Sequence, residues 1–481
     1  MHNSKLLELY KTLNPVERKR FKQYVESGFF NANTSVIKLN QYITRALDSS
    51  GERELDKKKA HAQLFGKRKY SESQISVLMT FLMRLLEAFI AQLKYDTNKF
   101  LQKEYLVAEL RKRKLDKHFI SNTGEYHKWL QEKRKHDSEY YYASYTLEKE
   151  MDHFFMKGEI RKNDESLQRK SDHLDIFFLS EKLKNLCEMV NRQNIIKSNY
   201  NLRMLKALRI YIDENTSYFQ TIPAVYIYYK ILLTLLEGEN AEHFRELKQS
   251  LDKYFKAFSQ EEALQMYLFA QNYCIKKINS GDARYLQEIL AIYETLLQNE
   301  LIFEDNYLSQ WDYKNIVSVG LKLGKFDWTK DFIENYKHRL SPESRENAYE
   351  YNLSLLHYTR KDYKSALKRL QHVDFTDVFY HLGAKSILLK SYYELEEVEP
   401  FYSLVDAYKV YLVRTKKISV YQRTMHQTLV KYTKQTFDLK LKMGAVSGIA
   451  QEKAIKKLKD RITGNRDKAD FSWLLEKVDE L

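Results

Sequence analysis

The sequence predicts an all-α fold: an N-terminal helical bundle, then a degenerate α-solenoid, and a basic helical cap at the C-terminal end. Turn residues are scarce, because average composition would give roughly 34 Gly and 24 Pro in a chain of this length, whereas these 481 residues include 13 and 4. Helical periodicity continues along the chain, without the alternating runs that strands need. Charged residues make up 30% and hydrophobic residues 43%, a composition typical of amphipathic helices joined by short polar turns.

The chain is too long for a single hydrophobic core, so several domains or a stacked array are expected. Composition and periodicity divide it into four zones. The predicted zones are an N-terminal helical bundle at 1–95, long charged helical hairpins at 96–220, helical repeats at 221–410 and a basic C-terminal helical cap at 411–481.

The four prolines mark predicted helix starts, where a missing backbone N–H costs little. The run Asn14-Pro15-Val16-Glu17 combines an N-cap, a proline at the first helical position and a carboxylate at the third, which is a capping box. Pro223, Pro342 and Pro400 are each predicted to lie in a first helical turn, with Thr221 as a cap before Pro223. Ser259 and Glu262 form a further predicted capping box.

A repeat is predicted in the third zone from three similar turns. Gly324-Lys325-Phe326-Asp327-Trp328-Thr329, Arg360 to Ala366 and Glu396 to Phe401 occupy equivalent positions between two helices, and Thr329, Ala366 and Phe401 follow at intervals of 37 and 35 residues. A tetratricopeptide unit has 34 residues and a small residue at its twentieth position. Such hairpins bury their apolar faces only by stacking on neighbours, which predicts a tetratricopeptide-like solenoid.

Runs at both ends and in the repeats resemble a known family. Lys314-Asn315-Ile316-Val317, Phe332-Ile333-Glu334-Asn335-Tyr336, Leu13-Asn14-Pro15-Val16-Glu17 and Trp473-Leu474-Leu475-Glu476-Lys477 are similar to segments of a bacterial family of about 500-residue tetratricopeptide-like helical-repeat proteins. The resemblance implies a solenoid fold. It supplies no catalytic residue for this chain.

Cysteine usage and hydropathy predict a cytoplasmic protein without a membrane partner. Cys187 and Cys274 lie in apolar helical surroundings without partner spacing, so buried reduced thiols are expected. The most hydrophobic stretch, residues 77–93, contains Arg84, Glu87 and Gln92, which favours a core helix over a membrane helix.

Motifs for catalysis are missing, so the chain is predicted not to be an enzyme and to need no cofactor or metal. Gly320 to Lys325 is one residue shorter than a phosphate-binding loop, and Phe326 follows where Ser or Thr should stand. His118, His127 and His136 recur every nine residues, which puts neighbours on opposite helix faces.

The charge of the chain is concentrated near its C-terminal end. Residues 409–466 carry 15 Lys and Arg against 3 Asp and Glu, which is +12 of a total of +15. Because Arg423, Lys431 and Lys434 follow helical spacing, they are predicted to share one face. The predicted site for an anionic partner comprises Arg414, Lys416, Lys417, Arg423, Lys431, Lys434 and Lys440.

Three interpretations of these features stay open. The preferred one is a scaffold that holds a protein or peptide partner in the solenoid groove. The alternative is a nucleic-acid-associated protein that contacts the phosphate backbone through its basic helices. The basic zone could also be a solvated cap that binds nothing. The sequence leaves the oligomeric state open.

Overall fold

A computed structural model gives the structure of the chain. It describes residues 1, 4–49, 55–66, 68–133, 136–157, 165–196, 198–371, 373, 377–442, 448–464 and 472–481. The fold is all-α, with 80% of residues in helices. The chain divides into two compact units, residues 1–181 and 182–481. The predicted zone boundaries near residues 95, 220 and 410 lie inside these units. Of the predicted basic cap, residues 443–447 and 465–471 lie outside the described residues.

Nine helices begin among the described residues of the first unit, and the last of them continues into the second. They are α1 (Lys5–Lys11), α2 (Pro15–Glu26), α3 (Thr34–Ser49), α4 (Lys57–Phe65), α5 (Glu72–Thr97), α6 (Lys99–Lys112), α7 (Asp116–Gln131), α8 (Ser138–Lys157) and α9 (Ser166–Ile196). The capping box at α2 is confirmed, since Asn14 Oδ1 accepts from the Glu17 amide and Glu17 Oε2 accepts from the Asn14 amide, each at 2.9 Å.

Helices α1 to α5 enclose one hydrophobic cluster, which includes Leu7, Phe21, Ile43, Leu82 and Leu86. Helix α5 is the one described helix that is long and apolar enough to cross a membrane by length and composition. It packs against α1, α2, α3, α4 and α6, and a third of its most apolar window is buried. A core role for α5 is consistent with these contacts.

The second unit is a succession of helical hairpins. Its elements are α10 (Leu205–Glu214), α11 (Thr216–Phe219), α12 (Pro223–Leu236), α13 (Ala241–Tyr254), α14 (Gln260–Asn279), α15 (Tyr285–Gln298), β1 (Phe303–Glu304), β2 (Tyr307–Leu308), α16 (Gln310–Lys322), α17 (Phe326–Tyr336), α18 (Arg345–Thr359), α19 (Tyr363–Leu370), α20 (Val378–Glu394), α21 (Val398–Arg414), α22 (Val420–Leu441), α23 (Gly448–Thr463) and α24 (Ser472–Asp479).

Neighbouring hairpins pack in chain order. The pairs α12/α13, α14/α15, α16/α17, α18/α19, α20/α21 and α22/α23 are each in contact, and α16, α18, α20 and α22 also contact one another in succession. We call α12, α14, α16, α18, α20 and α22 the first helices. Tyr228, Tyr267, Tyr313, Tyr393 and Tyr408 are fully buried in this unit, so these rings serve packing.

The three turns that suggested a repeat share one backbone geometry. Gly324, Lys361 and Glu396 have φ of 69°, 63° and 57°. At each turn an amide donates to the carbonyl five residues earlier, at 2.9–3.0 Å, which is the Schellman pattern. Five residues after each left-handed residue, Thr329, Ala366 and Phe401 are fully buried. The assignment of these hairpins to tetratricopeptide repeats stays a prediction.

Some predicted details differ. Pro223 begins α12, but Ile222 is its N-cap, and the Thr221 hydroxyl instead donates to the carbonyl of Tyr218. The regular part of α18 begins at Arg345 and not at Pro342, because a turn intervenes in which the Ser341 carbonyl accepts from the Ser344 amide. Ser259 Oγ caps α14 by accepting from the Glu262 amide at 3.1 Å, which is one half of the predicted capping box. The Glu262 carboxylate accepts from the Tyr228 hydroxyl at 2.9 Å.

The sequence did not predict the short hairpin of β1 and β2. Its two central residues, Asp305 and Asn306, have φ of 48° and 68°. Positive φ at both central positions is the requirement of a type I′ turn, and Asp and Asn tolerate this conformation better than most residues. Each strand has only two residues, which is too short for a periodic signal.

Candidate binding surfaces of the second unit

The predicted cations lie along the last helices of the second unit. Arg414 ends α21, Lys416 and Lys417 lie in the turn that follows, and the other four lie on α22. Residues 407–437 contain seven Lys and Arg and no Asp or Glu. Apolar side chains on either side of this turn are also exposed, Val413 on α21 at 72% and Val420 on α22 at 81%. The surface is therefore cationic and partly apolar.

Arg423 has a structural role within this set. Its Nη2 donates to the carbonyl of Thr415 at 2.7 Å, and its Nη1 donates to the carbonyls of Leu412 and Val413. These carbonyls belong to the C-terminal end of α21 and the turn after it, where helical hydrogen bonds end. The guanidinium thus caps α21 and links it to α22.

Lys434 and Lys440 have acidic partners. Lys434 Nζ lies 2.7 Å from Asp438 Oδ2, and Lys440 Nζ lies 2.8 Å from Glu396 Oε1. Arg414, Lys416, Lys417 and Lys431 are exposed and have no acidic partner within the described ranges. The seven predicted residues therefore divide into three with internal partners and four available to an external anion.

A second basic surface lies on α23, which the sequence prediction left out of the site. Lys453, Lys456, Lys457 and Arg461 line an open depression of about 530 Å³, together with Asp460. A groove of about 280 Å³ between α22 and α23 adds Lys442 to this surface. At 1.5 Å rise per residue, α22 spans roughly 30 Å between the turn and this groove.

A further depression of the second unit is acidic. It has a volume of about 1020 Å³ and is formed by the N-terminal ends of α14, α16 and α18, the N-cap and first turn of α20, and the hairpin of β1 and β2. We call it the acidic groove. No Lys or Arg occurs among its described lining residues, and its acidic residues are Glu261, Glu304, Asp305, Asp312, Glu343 and Asp377.

Aromatic side chains form part of the wall of the acidic groove. Trp311 is 38% exposed and Tyr307 is 40% exposed. The ring of Trp311 meets that of Phe379 edge-on, with centroids 5.8 Å apart, and lies 5.4 Å from that of Tyr380. An exposed indole face next to carboxylates attracts cationic groups through its quadrupole.

Hydrogen bonds fix the backbone around the acidic groove. Gln260 Nε2 donates to the carbonyls of Glu300 at 3.0 Å and Phe303 at 3.2 Å, which holds the hairpin against the start of α14. The Tyr380 hydroxyl donates to the carbonyl of Gln310 at 2.9 Å, which joins α20 to α16. The wall is therefore preorganised.

The acids of the groove differ in their surroundings. Asp377 Oδ1 caps α20 by accepting from the amides of Phe379 and Tyr380 at 2.8 and 3.0 Å. Burial raises the pKa of Asp312 above its usual value. Carboxylates in first helical turns are also favoured by the helix dipole, which offsets part of their mutual repulsion. Glu304, Asp305 and Glu343 are exposed and remain for a partner.

Sequence reasoning missed the acidic groove. Its lining residues run from Gln260 to Tyr380 and come from separate hairpins. No spacing of residues within one segment indicates such a site. The Asp305-Asn306 pair indicates only one part of it, the tight turn between β1 and β2.

The described residues contain no group of three or more His, Cys, Asp or Glu that could hold a metal ion. Cys187 and Cys274 are buried free thiols, and burial raises the pKa of both, so neither is an activated nucleophile. Gly320 to Lys322 end α16, and the rest of the loop-like run is the helical turn at Gly324.

Comparisons with protein families, with curated proteins and with solved structures give no match to this chain. The surfaces described above are therefore the basis for any functional assignment.

Proposed function

We propose that the protein is a non-catalytic protein-interaction scaffold built on a tetratricopeptide-like α-solenoid. The supporting observation for the architecture is the succession of hairpins in which the first helices α16, α18, α20 and α22 contact one another in turn. Stacked hairpins of this kind leave extended surfaces to which several repeats contribute. A cytoplasmic location is part of the proposal, because both cysteines are buried and free.

The observation that carries the proposal is the acidic groove. In a chain with a net charge of +15, a depression with six acids and no Lys or Arg among its described lining residues is a local inversion of charge. Its carboxylates would repel nucleic acid. Exposed Trp311 offers cation–π contact. We propose that the groove binds a protein segment that carries Lys or Arg side chains next to apolar ones.

Binding of labelled peptides, followed by fluorescence anisotropy, tests the groove. A basic peptide with interspersed aliphatic residues is expected to bind the wild type, and an acidic peptide of equal length is not. Glu304→Gln combined with Glu343→Gln should weaken binding about tenfold, because two charge-assisted contacts are lost. Trp311→Leu should weaken it independently of salt concentration.

The control removes the same charge elsewhere. Asp331→Asn combined with Glu399→Gln changes two exposed acids on second helices of the hairpins, outside the described lining of the groove. This variant should bind the basic peptide as the wild type does. If both double variants weaken binding equally, the effect is one of net charge, and the groove is not the site.

A second candidate function rests on the basic surfaces. Arg414, Lys416, Lys417 and Lys431 are exposed and lack acidic partners among the residues described, within a stretch that contains no acid. Such a surface suits the phosphate backbone of a nucleic acid, contacted without sequence preference. For single strands, the logarithm of affinity falls with the logarithm of salt concentration by about 0.7 per phosphate neutralised.

Titration of a fluorescent single-stranded oligonucleotide at several salt concentrations tests this candidate. The triple variant Lys416→Gln, Lys417→Gln and Lys431→Gln should reduce the salt slope by about 2. Lys434→Gln is the matched control, because this lysine is paired with Asp438. An unchanged slope in the triple variant would show that the α22 surface does not contact phosphates.

A further inference from the structure

The end of the α21/α22 hairpin carries positive charge that finds no partner within the described chain. We call residues 410–421, which include the last turn of α21 and the start of α22, the basic turn. Arg414, Lys416 and Lys417 are exposed there and form no ion pair with a described residue. No acid occurs within the basic turn. Its charge is therefore available to a partner.

The basic turn also presents apolar side chains to solvent. Val413 is 72% exposed, Val420 is 81% exposed and Tyr421 is 60% exposed. Contact with phosphates alone needs only the cations, because phosphate oxygens are bound by charge and hydrogen bonds. The aliphatic groups indicate instead a partner surface on which apolar positions alternate with acids.

Internal contacts fix the shape of the basic turn. Ile418 is 8% exposed and anchors the turn on the unit. Ser419 Oγ accepts from the Gln422 amide and Gln422 Oε1 accepts from the Ser419 amide, each at 3.1 Å, so α22 starts with a capping box. Arg423 Nη2 donates to the carbonyl of Thr415 at 2.7 Å. Because the surface is preorganised, binding orders few further groups.

The acidic groove is complementary to this surface. Asp377 is already engaged, since it caps α20 and its charge acts on Lys314. Trp311 and Tyr307, which are partly exposed, supply apolar area in the wall. Three acids of the groove are exposed and form no ion pair with a described residue: Glu304, Asp305 and Glu343. Carboxylates and aromatic rings on one surface thus match cations and apolar groups on the other.

The basic turn lies near the acidic groove but outside it. The rings of His381 on α20 and Tyr411 on α21 are stacked, with centroids 4.0 Å apart, and His381 is four residues from the groove residue Asp377. No described acid of the groove pairs with Arg414, Lys416 or Lys417. The packing of α20 on α21 and of α21 on α22 holds the turn in this place. A chain therefore does not fill its own groove.

We propose that the acidic groove of one copy of this chain binds the basic turn of a second copy. The inference rests on the proposed function of the groove and names its partner, because the basic turn is a protein segment that carries Lys and Arg next to apolar side chains. Since each copy carries both surfaces close together, two copies related by a two-fold axis make the same contact twice.

Sedimentation velocity of the full chain tests this contact. The wild type should form dimers that dissociate as salt is added, because salt screens exposed charges. Lys416→Glu combined with Lys417→Glu, the turn variant, should weaken dimerisation at least about a hundredfold, because attraction becomes repulsion. Glu304→Lys combined with Glu343→Lys, the groove variant, should do the same. An equimolar mixture of the two variants should form dimers again, since each contact then joins opposite charges.

Two further variants separate local contacts from net charge. Asp331→Lys combined with Glu399→Lys changes exposed acids outside the described lining of the groove and should dimerise as the wild type does. Val413→Ser combined with Val420→Ser keeps every charge. This pair should weaken dimerisation without changing its dependence on salt, because only apolar contact is lost.

Binding of the labelled basic peptide separates failure of this inference from failure of the proposed function. The turn variant has a free groove, so it should bind the peptide more tightly than the wild type, in which a second copy competes. If the wild type is monomeric up to about 100 µM, a limit that detects micromolar affinity, and the peptide still binds, self-association is wrong and the groove keeps its proposed function. If the groove binds neither, both proposals are wrong.

Two other outcomes would overturn the inference. Dimers that neither the turn variant nor the groove variant weakens would form through another surface. A monomeric wild type that binds a single-stranded oligonucleotide, with binding lost only in the turn variant, would assign the basic turn to nucleic acid. Circular dichroism checks the fold of each variant. If the groove variant does not fold, Glu304→Gln combined with Glu343→Gln takes its place and should weaken dimerisation about tenfold.

Discussion

Gly320, on α16, packs directly against Trp328 and Thr329 of α17. A methyl group at this position would collide with Thr329 Oγ1 and would lie 3.1 Å from the indole ring of Trp328. The glycine of the loop-like run Gly320 to Lys325 is therefore required for helix packing. This explains the resemblance to a phosphate loop without any role in binding phosphate.

Gly320→Ala should lower the free energy of unfolding by about 1–3 kcal/mol, because the added methyl overpacks this contact. Urea unfolding measures the change. Gly124→Ala is the matched control, since Gly124 lies in α7 with no atom within 4 Å of an added methyl. That variant should gain about 0.5–1 kcal/mol from helix propensity. Equal effects at both positions would contradict the packing argument.

His426 should make stability depend on pH. Burial, and then the charge of Lys314, lower the pKa of His426 to about 4, below its usual value of 6.5. The unfolded chain therefore binds the proton more strongly, so stability is present above pH 6.5 and is lost as pH falls from there towards 4. Between pH 7.5 and pH 5 this group should cost about 2 kcal/mol.

Urea unfolding of the wild type and of His426→Gln at both pH values isolates this contribution. The variant should lose about 2 kcal/mol less than the wild type on acidification. Identical pH dependence in the two proteins would show that His426 is not held neutral by its surroundings.

At the scale of elements, residue spacing predicted where three turns lie but not their backbone conformation. The equivalence of the turns at Gly324, Lys361 and Glu396 was visible from residue spacing. The left-handed conformation was evident only at Gly324, because Lys and Glu rarely adopt it. At Lys361 and Glu396 the left-handed backbone therefore costs conformational energy, and the packing around these turns offsets that cost.

The C-terminal end of α21 depends on Arg423, which sequence analysis had assigned to an anionic partner. Arg423→Gln should lower the free energy of unfolding by about 1–2 kcal/mol, because three backbone carbonyls lose a charged donor. Lys416→Gln, in the turn between α21 and α22, should change it by less than about 0.5 kcal/mol. Urea unfolding distinguishes the two roles. If both variants are equally stable, the Arg423 guanidinium does not stabilise the C-terminal end of α21.

The basic zone was predictable because its charges are contiguous in sequence. The division of its cations into paired and unpaired ones was only partly predictable. Lys440 and Arg423 find their partners on or just after α20 and α21 through tertiary packing. The pair of Lys434 and Asp438 is an i,i+4 contact within α22, which residue spacing alone indicates. The acidic groove, by contrast, could not be predicted from the sequence. Its walls come from separate hairpins, and a one-dimensional pattern does not record which helix ends become neighbours.

At the scale of the whole molecule, the all-α class followed from composition and periodicity. The division between residues 181 and 182 did not, because it falls inside the continuous helix α9 and no turn residue marks it. Predicted boundaries were placed at changes in composition. Compact units depend instead on which helices pack together.

The end of the second unit is closed by its own chain through Glu394. This carboxylate accepts from Trp473 Nε1 at 2.8 Å and lies 3.2 Å from Lys477 Nζ. Although burial alone would lower the pKa of Lys477, its bonds to Glu480 and Glu394 raise it above the usual value. Helix α24 is thereby fixed to the last turn of α20.

Glu394→Ala should lower the free energy of unfolding by about 3 kcal/mol, because it leaves Lys477 buried with only its two exposed partners, Glu476 and Glu480. Glu480→Ala removes one of these exposed partners and should cost less than about 1 kcal/mol. Urea unfolding of both variants measures the difference. A larger loss from Glu480→Ala would show that the exposed contact holds the helix.

The attachment of α24 to α20 also affects how the protein would respond to mechanical load. In a row of hairpins that contact mainly their neighbours, tension applied at one end detaches the units one at a time. The Glu394 contacts reach back from α24 past α21, α22 and α23, so tension at the C-terminal end first acts on this link. The hairpins α20/α21 and α22/α23 would then unfold together, in one larger mechanical step.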